Sequence, residues 1–266
     1  MCTKLITVIN RLIRAASLFC ICLTANVSVA NETNMIVLFG DSLTFGDNNN
    51  FNGPVSAGVG SGRTGNDGLS PPLPPSDKLD DILDSEFRES IVINWGVGGT
   101  STDSGTFRIL SDLNSSLSDH SADNHYIMIL YGTNDFNFGL SPSTTGFNIQ
   151  LMIDRARSIG FIPIIGTLTP RSDRNVSDYN AQIVANANAR SAPVVDHYTR
   201  FLQDGNGGLD LLDLEFFSGV PIQLHPTDEG YDVIAQTWFD QYLENEIVEI
   251  PPQFPLAPVI QLLLSD

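Results

Sequence analysis

Met35-Ile-Val-Leu-Phe39 runs without a polar break into Gly40-Asp41-Ser42-Leu43. A strand with one wet face alternates apolar and polar residues. A continuous apolar run suits a strand buried on both faces, as in a parallel sheet covered by helices. The pattern recurs along the chain. Ser90-Ile-Val-Ile-Asn94 leads to Gly96, Tyr126-Ile-Met-Ile-Leu-Tyr131 to Gly132, Phe161-Ile-Pro-Ile-Ile165 to Gly166, and Pro193-Val-Val195 to Asp196. Helical patterns fall between and after these runs, over 76–86, 106–118, 144–159, 176–190 and 228–246. The last carries Tyr231, Ile234, Trp238 and Tyr242 three to four residues apart, an apolar stripe for a core. Strand–helix alternation predicts a three-layer α/β/α sandwich around a central parallel sheet of about five strands, with right-handed crossovers.

Outside this core the chain changes character. Residues 1–30 hold Lys4, Arg11 and Arg14, no acid, an apolar stretch over 15–23, and the small-x-small ending Ser28-Val29-Ala30. This is the layout of a secretory signal peptide, too short in its apolar part to span a bilayer comfortably. Residues 31–250 then form one domain, and 251–266 a Pro-rich, apolar C-terminal tail. Residues 46–77 are rich in Gly, Asn, Ser and Pro and follow the first strand. They would lie over the carboxyl edge of the sheet, as a substrate-shaping loop or as an unstructured connection.

The 266 residues carry 31 acidic and 13 basic side chains, a formal charge of −18. Loss of residues 1–30 removes three basic residues and no acid, so the mature charge is −21. Such a chain lacks the clustered Lys and Arg that grip nucleic acid. It is also 42% hydrophobic and only 17% charged, which excludes an acidic disordered tail. All three cysteines (Cys2, Cys20, Cys22) leave with the leader. The mature chain therefore has no disulfide and no Cys metal ligand.

Chemistry-bearing residues gather at the strand ends. Ser42 follows the first strand, ahead of a helix; its bland reading is a helix N-cap. Asn94-Trp-Gly-Val-Gly-Gly99 follows the second, without the spacing of a dinucleotide fingerprint. Gly132-Thr-Asn134-Asp135 follows the third, where an Asn is often only a turn former. His225-Pro226 stands before the last helix. Of the four histidines, His120 and His125 fall in a polar connection, and His197 reads as structural. His225 is the best base. Each residue alone has a bland reading; together at one sheet edge they describe acyl transfer.

In this order the blocks resemble the SGNH-hydrolase superfamily, the GDSL esterases and lipases, over about residues 35–245. The resemblance implies a flavodoxin-like fold and Ser42 as nucleophile. It implies an oxyanion hole from the Ser42 and Gly99 amides and the Asn134 side chain, and His225 as base. It requires no cofactor and no metal. Gly166-Thr-Leu-Thr-Pro170 and Tyr179-Asn180 are further similar to the lysophospholipase and arylesterase branch.

One position departs from the family's pattern. The acid expected three residues before the histidine is Ile222, in Pro221-Ile-Gln-Leu-His225. Three explanations follow. A backbone carbonyl holds the histidine in a Ser–His dyad; or Asp213, Glu215 or Asp228 supplies the acid; or the site is weak or inactive. Asp204, Asn206 and Glu215 also fall at calcium-loop positions 1, 3 and 12. Leu209 takes the place of the loop's glycine and Gly208 offers no ligand, so a polar turn is the better reading.

The expected function is a secreted or periplasmic serine esterase acting on lipid, aryl/alkyl or acetyl esters. Its partner is a small-molecule ester, not nucleic acid, and the mature chain has no membrane span. The alternatives are a non-catalytic binding protein on a degenerate scaffold, motivated by Ile222, and a carbohydrate O-acetylesterase.

Overall fold

A computed structural model describes residues 33–46, 63–64, 74–86 and 88–247. The expected leader, the C-terminal tail and most of the 46–77 segment lie outside the described residues.

The strands are β1 (Asn34–Gly40), β2 (Arg63–Thr64), β3 (Ser90–Gly96), β4 (Asn124–Leu130), β5 (Ile162–Gly166), β6 (Val194–Val195), β7 (Leu212–Phe217) and β8 (Val220–Pro226). Among the described residues the main sheet has the order β2-β3-β1-β4-β5-β6. All its pairings are parallel except β2 on β3, a short antiparallel edge. The five apolar runs are thus the five parallel strands. β1 is buried along its whole length, and Met35, Ile36, Val37 and Phe39 are fully inaccessible. Each such side chain contributes about 1.5–3 kcal/mol of burial.

The helices are α1 (Ser42–Phe45), α2 (Pro75–Ser85), α3 (Thr102–Asp119), α4 (Pro142–Ser158), α5 (Ser177–Ala189), α6 (His197–Leu202) and α7 (Asp228–Trp238). Three of them, α3, α4 and α5, pack side by side, while α7 packs against α2 and α6. These groups cover the sheet and make the three layers. The final helix does not run unbroken to 246: a π-turn over Phe239–Leu243 follows α7 before a last turn at Glu244–Glu246. Trp238 is buried, with its ring edge-on to His197 at 4.5 Å. His197 is fully buried, and burial pushes its pKa down to about 3, so it stays neutral, as a structural histidine should.

Strand order is what builds the site. β1 lies between β3 and β4, so the chain reverses direction across the sheet at β1. Crevices outside the carboxyl ends of strands form at such switch points. Gly40 is in register with Gly96 on one side and Leu130 on the other. The segments that follow these three strands therefore emerge at one level. Arg108 of α3 ties two of the ends together, donating from Nη2 to Gly40 O (2.8 Å) and Trp95 O (2.7 Å).

β7 and β8 form a separate antiparallel hairpin that periodic helix–strand reading does not anticipate. Residues 204–215 are a polar turn only in part. A 3₁₀ stretch over Gly205–Leu211 has left-handed backbone at Asn206, Gly207 and Gly208, and β7 begins at Leu212. The hairpin closes through Ser218 and Gly219, with φ of 51° and 82°. Two consecutive positive φ values mark the two-residue turn whose twist matches antiparallel strands.

Candidate active site

Ser42 is the first residue of α1, directly after β1. Asp41 caps this helix, its Oδ1 accepting from Leu43 N at 3.1 Å. Its Oδ2 accepts from Gly132 N at 3.4 Å, which joins the turn after β1 to the turn after β4. Burial pushes the Asp41 carboxyl up to about 6, against the pull of those two amides. With only four residues, α1 has little macrodipole, and Asp41 takes the Leu43, Thr44 and Phe45 amides, so what the turn offers an anion is the Ser42 amide.

His225 comes from β8. Its Nε2 lies 2.8 Å from Ser42 Oγ, and its Nδ1 lies 2.6 Å from Glu215 Oε1. All three residues are buried, Glu215 almost completely at 2% exposure. Of the three acids proposed from sequence, the structure brings only Glu215 to the histidine. Asp228 pairs instead with Lys78 at 2.9 Å. Asp213, the neighbour but one of Glu215 on β7, makes no such bond among the described residues. Of the explanations left open by the sequence, the structure holds an acid supplied from elsewhere, Glu215, and not a Ser–His dyad held by a backbone carbonyl. The same contact decides against a calcium loop, because the residue at its position 12 faces the histidine.

The hairpin explains how the acid reaches. Glu215 is paired directly across from Ile222, the position where the resemblance expects Asp. Opposed residues on an antiparallel pair share a face, with Cβ atoms about 4.5–5.5 Å apart. An acid moved from β8 to β7, and one methylene longer, can serve the same volume. Strict alternation would put Ile222 and His225 on opposite faces. However, Leu214 pairs with Gln223 while Leu212 pairs with Pro226, so β8 spends three residues where β7 spends two. This bulge resets the alternation and turns His225 toward the face of Glu215.

Gly99 follows β3 with φ of 71°, a left-handed conformation that suits glycine. Asn134 follows β4, and its Nδ2 donates to Thr100 O at 3.0 Å. The amide has a second N–H to give. Asp135 fixes this corner. Its carboxylate accepts from Thr102 N (2.8 Å), Thr102 Oγ1 (2.5 Å) and Thr145 Oγ1 (2.5 Å), so it caps α3 and ties it to α4. Asp135→Ala strands the two Thr102 donors, leaves Thr145 Oγ1 only its 3.3 Å bond to Ser141 O, and is expected to destabilise the fold by about 2–4 kcal/mol. Chemical denaturation of the two proteins measures it.

Ser42, Gly99, Asn134 and His225 line one cleft of about 480 Å³. The four residues expected at the site are therefore gathered in one place. Phe217, Val220, Ile222 and Leu224 of the hairpin form an apolar wall, and Asn137, Arg171, Asp173 and Arg174 a polar one. Sequence reading misses both walls. The signal for the hairpin is present, as alternating Leu212-Asp-Leu-Glu-Phe216 before Ser218-Gly219. For the arginines no local pattern exists.

Of the two further histidines, His125 lies within β4 and not in the connection, with its ring centroid 5.3 Å from that of Phe161, whereas His120 follows α3 as its C-cap, in the connection; both are half-buried. Asn180 ties α5 to the turn after β5, accepting from Leu168 N at 2.7 Å and donating to Leu168 O at 3.0 Å.

A parallel α/β sandwich with serine, histidine and carboxylate hydrogen-bonded in line at its carboxyl edge has the architecture of a serine hydrolase. The sequence model of the GDSL-like lipase/acylhydrolase family matches residues 38–233. The chain belongs to this family of carboxylic-ester hydrolases. Its fold is shared with solved structures of low sequence identity. The lipase/acylhydrolase from Enterococcus faecalis is 20% identical, with 82% of this chain and 100% of that one covered and a TM-score of 0.60. The psychrotrophic esterase EstA from Pseudoalteromonas sp. is 17% identical, with coverage of 79% and 97% and a TM-score of 0.55. Axe2, an acetylxylan esterase from Geobacillus stearothermophilus, is 14% identical, with coverage of 79% and 93% and a TM-score of 0.56. No sequence among curated proteins matches the chain.

Proposed function

We propose that the protein is an exported serine esterase that cleaves carboxylic esters through an acyl-enzyme on Ser42. The observation that carries this reading is His225, which bridges Ser42 Oγ at 2.8 Å and Glu215 Oε1 at 2.6 Å. Glu215 accepts the Nδ1 proton, which leaves the Nε2 lone pair free for the serine proton. Ser42 Oγ attacks the ester carbonyl as His225 takes that proton. The oxyanion then accepts hydrogen bonds from the Ser42 and Gly99 amides and the Asn134 side chain. His225 returns the proton to the leaving alcohol, and water repeats the sequence to free the acid. The anionic Glu215 stabilises the imidazolium formed at each step. No residue of this sequence of steps calls for a metal or organic cofactor.

The motive for a non-catalytic reading is the missing acid at 222, and Glu215 removes it. The leader-like residues 1–30 support export, to the periplasm or beyond. Mature charge of −21 keeps such a protein soluble and away from anionic surfaces. The likeness to an acetylxylan esterase keeps acetyl esters within the substrate range to be assayed.

A phosphonate ester tests the reading directly, since the solved EstA is described as inhibited by monoethylphosphonate. Incubation with an activated ethylphosphonate is expected to add one phosphonyl group, localised to Ser42 by peptide mass spectrometry, with parallel loss of 4-nitrophenyl butyrate hydrolysis. Labelling elsewhere, or full labelling with activity retained, would count against Ser42 as the nucleophile.

A further inference from the structure

The polar wall of the cleft carries more positive charge than the structure spends. Arg171 alone satisfies both oxygens of Asp173, from Nε to Oδ1 at 2.6 Å and from Nη2 to Oδ2 at 3.0 Å. Its Nη1 donates to Thr133 O at 2.6 Å, so this arginine is fully engaged. Asp173 is ionised: burial works against its charge, but the hydrogen bonds from Arg171 and Arg174 hold its pKa below the ordinary value. Arg174 is thus a surplus cation. It too binds Asp173, through Nε at 3.1 Å and Nη2 at 2.8 Å, and its guanidinium carbon lies 3.9 Å from the centroid of Phe136. Nη1 of Arg174 is shielded from water and has no hydrogen-bond partner.

Within this polar wall two guanidinium groups and one carboxylate leave one net positive charge facing the cleft that Ser42 lines, while the carboxylate of Glu215 is buried behind His225 and does not line it, in a chain whose formal charge is −18. The chain's negative field is screened over roughly 8–10 Å at physiological salt, so contact with the guanidinium governs the local preference. Asp173 and Phe136 hold its plane before any ligand arrives, which lowers the entropy lost on binding. An unmatched charged donor is costly to leave unpaired, and an anion that enters the cleft and displaces the atoms now covering Nη1 removes that cost. The apolar residues of the hairpin line the same cleft, and Ser172 joins the two walls through its bonds to Gln223 of β8, N to O at 3.0 Å and Oγ from N at 2.7 Å.

We propose that Arg174 forms an anion subsite of the active cleft, selecting esters that carry a carboxylate or phosphate next to their scissile group. The inference rests on the esterase reading above and deepens it. Asp173 and Phe136 act as positioning residues. The anion can stand on the acyl or on the alcohol side of the ester, and matched substrates separate these sources. 4-Nitrophenyl hemisuccinate and 4-nitrophenyl butyrate have four-carbon acyl groups and differ in an acyl-side carboxylate. Butyryl glycerol phosphate and monobutyrin share an acyl group and differ in an alcohol-side phosphate.

Wild-type kcat/KM is expected to favour the anionic member of at least one pair by about tenfold or more, the size of one charge-assisted hydrogen bond. Arg174→Gln is expected to collapse that ratio toward one or below, and Arg174→Lys, which keeps the charge, to restore part of it. Thermal unfolding checks that each variant is folded, and the ratio cancels any common loss of activity. Equal or faster turnover of the neutral member in both pairs overturns the proposal, as does a preference that survives Arg174→Gln. Turnover of the neutral esters without anion preference leaves the esterase reading standing. Turnover of none of the four overturns both.

Discussion

Glu215→Ala is expected to lower kcat by on the order of 10⁴ while leaving KM for a small ester within a few-fold, because the loss falls on the charged transition state. Glu215 is 2% exposed and 2.6 Å from His225 Nδ1. Without it the imidazole loses both the group that fixes its tautomer and the charge that balances the imidazolium. The family's expected acid position offers a second arm. Ile222 is cross-strand to Glu215, so Glu215→Ala with Ile222→Asp returns a carboxylate to the same hairpin face. This double variant is expected to regain at least tenfold in kcat over Glu215→Ala alone. Wild-type kcat in Glu215→Ala would restore the dyad reading. No recovery in a folded double variant would show that the two positions are not interchangeable, and the account of the bulge would fall with it.

Ser42→Ala is expected to remove about 10⁶ in kcat, leaving only what the oxyanion donors and binding supply. The Oγ that His225 contacts at 2.8 Å is the atom that must bond to the acyl carbon, and alanine has no substitute for it. Ser42 and His225 act as one unit, so Ser42→Ala with His225→Ala is expected to be no slower than either alone. Steady-state hydrolysis of 4-nitrophenyl butyrate by the three variants measures this. Residual turnover by Ser42→Ala near the wild-type level would end the acyl-enzyme mechanism. Multiplying losses in the double variant would instead mean that the two residues act in separate steps.

The hairpin concentrates these roles. In the proposed mechanism β8 supplies the base and β7 the acid, and Phe217, Val220, Ile222 and Leu224 form the apolar wall. Moving the acid from 222 to 215 has a second effect, because the vacated position now presents isoleucine to the cleft. An acid at 215 with isoleucine at 222 therefore shapes the substrate wall as well as the carboxylate that orients the histidine.

Much of the fold is legible in the sequence because parallel strands buried on both faces must be apolar at every position. Met35–Phe39 and the four runs like it state that without reference to anything distant. The turn glycines and the block residues Ser42, Gly99, Asn134 and His225 are equally local, since each sits where a strand ends or a helix begins. The hairpin is less legible. Phe217, Val220, Ile222, Leu224 and His225 line the cleft instead of a core, and the bulge breaks the alternation that identifies strands.

What the sequence by itself determined is the parallel core and the four blocks at its carboxyl edge. What only the tertiary structure decided is which of Asp213, Glu215 and Asp228 meets His225, and that Arg171 and Arg174 face the same cleft as Ser42. The reason is geometric. Burial and turn preferences act between near neighbours and leave a local trace, whereas a hydrogen bond depends on distance and direction in space. Register across β7 and β8, shifted by one residue, sets those for Glu215. The packing of the loop after β5 against the turn after β4, through Arg171 and Thr133 O, sets them for the arginines.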